Sequence, residues 1–177
     1  MDTAYLGLGS NRGDRRAHLQ AAVDGLHERE GIRIQAVSPL YETEAHTVDP
    51  DEEQRPFLNA VVEAAVGRSP EQLLRVAHDV EADRGRTRTG RRWAPRPLDI
   101  DLLAVGAKTR ATDALTLPHP RLAERRFVLR PWADLAPDFV VPAPFGASVR
   151  ALLDRCPDTA EVHRVDQGLT IPSPPAE

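Results

Sequence analysis

An α+β fold, one antiparallel sheet with two helices against one of its faces, is what the sequence predicts, and three observations carry it. Four β-type runs and two helix-type runs follow one another as strand, helix, strand, strand, helix, strand. Apolar residues alternate with period two in the second and third strands. The second helix is bounded by capping residues at both ends.

Each element has its own reason. "TAYLGLG" (3–9) is a short β-type run closed by Gly9. In "DRRAHLQAAVDGLHER" (14–29), Leu19, Val23 and Leu26 stand at i, i+4 and i+7, the stripe of an amphipathic helix. "GIRIQAVSPLYET" (31–43) sets Ile32, Ile34 and Ala36 against Arg33 and Gln35, a strand with Pro39 at a bend or edge. In "FLNAVVEAAV" (57–66) the even positions form an apolar face. "SPEQLLRVAHDVEADRG" (69–85) places Ser69 at the N-cap, Pro70 at N1 and Gln72 in a capping box, with Gly85 as the stop. "LDIDLLAV" (98–105) is the fourth strand. This order is the ferredoxin-like βαββαβ core. We expect a single domain over 1–165 and a loose tail over 166–177, which ends in "GLTIPSPPAE".

Direction then places the loops. If the first strand runs up, three connections lie at one end of the sheet: 9–14, roughly 43–56 and roughly 85–97. The last two are long for a compact domain, and loops of that length commonly carry function. The opening residues of the third and fourth strands, Phe57, Asn59, Asp99 and Asp101, belong to the same end.

Bulk properties narrow the class. The chain has 177 residues, 41% hydrophobic and 28% charged, the composition of an ordinary globular domain. Its one cysteine, Cys156, excludes an internal disulfide and a cysteine zinc site and fits a cytoplasmic compartment. "MDTAYLGLGS" lacks the basic start of a signal peptide. No apolar run reaches the roughly 20 residues that cross a bilayer, so no membrane association is expected, and no segment marks an obligate protein partner. The histidines are scattered, without HExxH spacing. The net charge of −4 is uneven: residues 84–96, "RGRTRTGRRWAPR", hold six arginines and no acid, which leaves −10 on the rest. A basic loop on an acidic body fits a discrete anionic ligand better than a nucleic-acid-coating surface.

The stretch "RRWAPRPLDIDLL" (91–103) concentrates the chemistry. Side chains alternate along a strand, so Asp99 and Asp101 share one face while Leu98, Ile100 and Leu102 share the other. Read alone, the pair is either solvated on an open sheet face or a ligand site. Neighbouring carboxylates repel unless a cation lies between them, and Mg²⁺ favours one or two carboxylates plus phosphate oxygens. With the arginine loop at the same end, magnesium-nucleotide is the reading adopted. The alternative is a ferredoxin-like RNA-binding module using the arginine loop, against which stand two carboxylates that would repel a phosphate backbone.

Other motifs stay open. "GLGSNRG" (7–13) matches neither GxxxxGK[ST] nor GxGxxG and reads as a turn before the first helix. The RGD at 12–14 reads as chance. His119, between prolines in "LPHPR", is placed in a loop with a phosphate contact as its functional reading. His78 and Glu81, at i and i+3, read as an exposed helical face.

Taken together, "YLGLGSNRGDR" (5–15), "SPLYET" (38–43), "FLNAVVE" (57–63), "GRTRTGRRWAPRPLDIDLL" (85–103) and "LTLPHPRLAERRFVLRPWADLAP" (115–137) resemble the 6-hydroxymethyl-7,8-dihydropterin pyrophosphokinase family of folate biosynthesis. The match spans about residues 4–140, and its most specific part is the RW-x-P-R-x-L-D-x-D-L-L run together with LPHPR. The resemblance implies transfer of the β,γ-pyrophosphate of ATP to the pterin hydroxymethyl group, with release of AMP. It implies two Mg²⁺ ions on Asp99 and Asp101, with Asp99 also orienting the attacking hydroxyl. Arg88 and Arg92 would grip phosphates as further catalytic groups, and Arg96 would anchor the base of their loop. Glu81, Thr116, His119 and Arg125 fall at ATP-side positions. Thr43, Phe57, Asn59, Trp93 and Phe127 fall at pterin-side positions. The implied ligands are thus ATP and 6-hydroxymethyl-7,8-dihydropterin, not nucleic acid. Four positions and one segment depart from the family pattern: Ala94 and Pro97 stand for the usual Gly and Thr, and Thr89 and Ala114 where relatives can carry a basic residue. The 44–55 stretch is longer and acidic.

Overall fold

The computed structural model describes residues 1–44, 55–85 and 97–173. Its elements are β1 (Asp2–Ser10), α1 (Arg15–His27), β2 (Ile32–Val37), β3 (Tyr41–Thr43), β4 (Phe57–Val66), α2 (Pro70–Asp83) and β5 (Asp99–Val105). The hairpin β6 (Arg110–Ala111) and β7 (Thr116–Leu117) and a 3₁₀ turn (Leu122–Glu124) lead to α3 (Arg126–Leu135). A second small hairpin, β8 (Val140–Val141) and β9 (Ala147–Ser148), precedes α4 (Val149–Asp154) and β10 (His163–Arg164). No helix among the described residues is long and apolar enough to cross a membrane.

The main sheet runs β10-β3-β4-β1-β5, with β2 also paired to β4, and its pairings are antiparallel. This is the expected ferredoxin-like core. Both helices expected from sequence form where their caps place them. Asp14 accepts from the Ala17 N–H at the start of α1. Ser69 and Gln72 complete the capping box of α2. Along β1, β4 and β5, Leu6, Leu8, Val62, Ile100 and Leu102 bury one face against Leu19, Val23 and Leu26 of α1 and Leu73 and Val80 of α2.

The single strand expected over 31–43 is two strands. β2 pairs with Val62–Val66 of β4, whereas β3 pairs with Phe57–Asn59. Ser38 explains the break. Its N–H donates to the Val61 carbonyl at 2.9 Å, and its Oγ accepts from the Val61 N–H at 2.9 Å. A side-chain hydroxyl thus replaces the backbone carbonyl that a continuous strand would present, and Pro39 follows without an N–H to give.

The second face of the sheet is also covered in part, which the sequence did not indicate. Tyr5, Val61 and Leu103 meet Leu129 and Trp132 of α3 and Val149 and Leu152 of α4. Tyr5, Trp132 and Phe139 form an aromatic cluster with centroids 4.8–5.9 Å apart. The tail expected to be loose from residue 166 is corrected in part. Arg16 Nε donates to the Gly168 carbonyl at 3.0 Å, and Gln20 exchanges two 2.9 Å hydrogen bonds with the Thr170 backbone. Leu169 is buried in the first core.

Candidate functional site

Because α3 covers only part of the second face, the end of the sheet at the top of β1 stays open. There the register sets Gly9 between Asn59 and Asp99 and pairs Gly7 with Asp101. The C-terminal end of β1 therefore meets the first residues of β4 and β5, as the direction argument requires. Leu98, Ile100 and Leu102 are buried toward the helices, while Asp99 and Asp101 are partly exposed on the opposite face.

Two cavities meet at these carboxylates. The first, about 200 Å³, has Gly7 and Gly9 in its lining, with Thr43, Phe57, Asn59, Arg125, Phe127 and Val128 around them. The second, about 360 Å³, lies toward α2 and the β6–β7 hairpin and is lined by Leu74, His78, Glu81, Asp113, Leu115 and Thr116. Asp99, Asp101 and His119 line both. Of the residues assigned by resemblance, Thr43, Phe57, Asn59 and Phe127 come together in the first cavity, and Glu81 and Thr116 in the second. Arg125, assigned to the ATP side, lines the first cavity. Arg88, Arg92, Trp93 and Arg96 lie outside the described residues.

Local chemistry is specific at each wall. Asn59 Nδ2 donates to Thr43 Oγ1 at 2.9 Å, a buried bond that ties β4 to β3. This turns Asn59 Oδ1 toward Gly9, where an added Cβ would come within 3.2 Å of it. A Cβ at position 9 would press on the amide, which would have to give by a few tenths of an ångström, so glycine leaves Asn59 its room over the strand. Neither Gly7 nor Gly9 was singled out from sequence as part of a site. The available signal was two glycines inside a strand pattern, which marks close approach of another group to the backbone.

His119 is held by its own backbone, its N–H donating to the Leu103 carbonyl at 2.9 Å. The Arg121 N–H donates to His119 Nδ1 at 3.2 Å, which leaves the ring proton on Nε2. Burial, with Arg125 and Arg121 nearby, pushes the imidazole pKa down to about 4 against the opposing effect of Asp99. At neutral pH it is an uncharged N–H donor between the cavities. Arg125 spans a different pair: its Nη1 lies 3.9 Å from Asp101 Oδ2, and its Cζ lies 5.8 Å from the Phe127 ring centroid. Glu81, read from sequence as exposed, is buried.

The donor set also bears on metal. Among the described residues no cluster of three or more His, Cys, Asp or Glu forms a cage for a metal ion. Two carboxylates on one strand face, open to two cavities, fit a hard divalent cation that completes its shell with water and substrate phosphate oxygens.

The family model for 7,8-dihydro-6-hydroxymethylpterin-pyrophosphokinase matches residues 5–137. A 2-amino-4-hydroxy-6-hydroxymethyldihydropteridine pyrophosphokinase of Methylorubrum extorquens is 43% identical over 94% of this chain and its own full length. The enzyme of the same name from Bacillus subtilis is 41% identical over 75% of this chain and 77% of its own. A solved HPPK-DHPS protein in complex with substrates superposes with TM-score 0.66 at 12% identity, over 86% of this chain and 43% of that one. At that identity the likeness shows the fold alone. The sequence relatives and the family match show more: this chain belongs to the 7,8-dihydro-6-hydroxymethylpterin-pyrophosphokinase family.

Proposed function

We propose that the two cavities are the two substrate sites of pyrophosphoryl transfer from ATP to 6-hydroxymethyl-7,8-dihydropterin, with the pterin in the first and the nucleotide in the second. The observation that carries this reading is that both cavities share Asp99, Asp101 and His119. A transfer between two bound molecules needs their reacting atoms to meet at one wall, and this is where the cavities meet.

The pterin side supplies aromatic surface from Phe57 and Phe127 and polar groups from Asn59 and Thr43, matched to a flat heterocycle with a donor-acceptor edge. Asp99, at the junction, accepts a hydrogen bond from the substrate hydroxyl and orients its oxygen. On the nucleotide side Glu81 and Thr116 are the polar contacts, and the His119 Nε2–H donates to phosphate oxygen. Arg125 adds fixed positive charge beside Asp101. Asp99 and Asp101 would hold two Mg²⁺ ions, which when bound offset phosphate charge and order the transferring group. Arg88 and Arg92 belong to the same proposal as phosphate ligands, with Arg96 at the base of their segment and Trp93 on the pterin. A cytoplasmic location is part of it too.

The layout is tested by splitting the Michaelis constants. Asn59→Ala is expected to raise KM for the pterin about tenfold or more, since it removes a buried hydrogen-bonding group, and to leave KM for ATP within about twofold. Glu81→Gln is expected to do the reverse. Crossed effects, with Asn59→Ala acting on ATP or Glu81→Gln on the pterin, would overturn the assignment of cavities.

A further inference from the structure

The turn between β1 and α1 makes contacts that helix capping does not require. Gly13 takes φ +64°, and Asp14 caps the helix, which puts Arg15 at the first helical position. From there the Arg15 Nη1 lies 2.9 Å from Glu42 Oε2 and donates to the Pro56 carbonyl at 2.9 Å. Its side chain is 20% exposed. Glu42 precedes Thr43 on β3, and Pro56 precedes Phe57 on β4. Two further bonds repeat the link. Asn11 Nδ2 donates to the Arg55 carbonyl at 3.3 Å, and Arg55 Nη1 donates to the Gly13 carbonyl at 2.9 Å.

We propose that Arg15 is a positioning residue for the pterin site, clasping β3 to the start of β4 so that Thr43, Phe57 and Asn59 keep one geometry. This rests on the pterin assignment of the first cavity. The clasp adds to a short ladder: β3 is three residues long and pairs with β4 at three positions and with β10 at two, and a strand of that length gains rigidity at its end from a further tie. Both contacts come from one nitrogen, Nη1, and a guanidinium suits the task because its N–H groups are fixed in a plane, whereas the donors of an ammonium rotate. The wall it steadies includes the Asn59–Thr43 hydrogen bond, and a small displacement of that pair costs binding although Arg15 itself touches no substrate.

Two measurements test this. The first needs no substrate: amide hydrogen exchange in Arg15→Ala should quicken at 41–43 and 57–59 and stay unchanged at 99–105. The second is kinetic: Arg15→Ala should raise the pterin KM about tenfold with the ATP KM unchanged, and Arg15→Lys should recover part of the loss. Glu42→Ala should raise it less, and the Arg15→Ala/Glu42→Ala double variant no more than Arg15→Ala alone, because the two residues act as a unit. Unchanged exchange at 41–43 and 57–59, additive losses, or equal rises in both KM values would overturn the clasp. Faster exchange in Arg15→Ala, combined with a parent protein that does not turn over the pterin, would leave the clasp standing and defeat the substrate assignment instead.

Discussion

Asp99→Ala and Asp101→Ala are each expected to lower kcat by about a thousandfold or more while leaving the fold intact. Both side chains lie on the face of β5 turned away from the α1–α2 core, and both line the two cavities. Neither fills core volume, so truncation opens no cavity among packed side chains. What it removes, on the proposed assignment of the cavities, is a negatively charged oxygen ligand at the place where the two substrates meet. Losing such a ligand forfeits several kcal/mol of charge stabilisation in the transition state, and about 4 kcal/mol corresponds to a thousandfold in rate. Circular dichroism and urea unfolding should be close to the parent for both variants. Near-normal turnover by either one in saturating Mg²⁺ would remove that aspartate from the reaction.

Trp132→Ala is expected to reduce stability by about 3–5 kcal/mol, a large share of the roughly 5–15 kcal/mol that holds a domain together. Trp132 is fully buried and packs with Tyr5 and Phe139 between α3 and the second face of the sheet. Removing the indole leaves a cavity that the sheet, fixed by β1–β4 and β1–β5 pairing, cannot close. Trp132→Phe is expected to cost less than half as much. Among the described residues, Trp132 Nε1 is buried without a hydrogen-bond partner. Phenylalanine keeps much of the apolar volume and removes a buried N–H whose desolvation costs about 1–3 kcal/mol. Urea denaturation followed by circular dichroism checks both. A Trp132→Ala variant within about 1 kcal/mol of the parent would mean that α3 does not anchor the second face.

Where local chemistry writes the structure, the sequence could be read. Ser69, Pro70 and Gln72 define the start of α2 within four residues, and the capping box is there. The alternation around Leu98, Ile100 and Leu102 assigns Asp99 and Asp101 to one face from period alone, and the direction of the strands brings Asn59 beside them. The features that escaped are those made by residues distant in the chain. α3 contains Pro131 and has no capping side chain of its own. Its first free N–H, at Arg126, donates to Asp158, 32 residues later. No local signal marks such a start, so the covered second face was invisible. The break between β2 and β3 depends on Ser38 meeting Val61 across the sheet. Gly9 acquires its meaning only when Asn59 lies over it. Glu81 reads as an exposed helical acid until the β6–β7 hairpin encloses it with Thr116 and Leu115 in one cavity.

The central claim is that a diphosphoryl unit passes between two molecules bound on either side of Asp99 and Asp101. The measurement that meets it most directly is phosphorus NMR of the products after the protein is incubated with ATP, Mg²⁺ and 6-hydroxymethyl-7,8-dihydropterin. AMP and a pterin diphosphate are expected in equal amounts, with neither formed when the pterin is omitted. ADP with a pterin monophosphate, or AMP with free pyrophosphate and unchanged pterin, would contradict it.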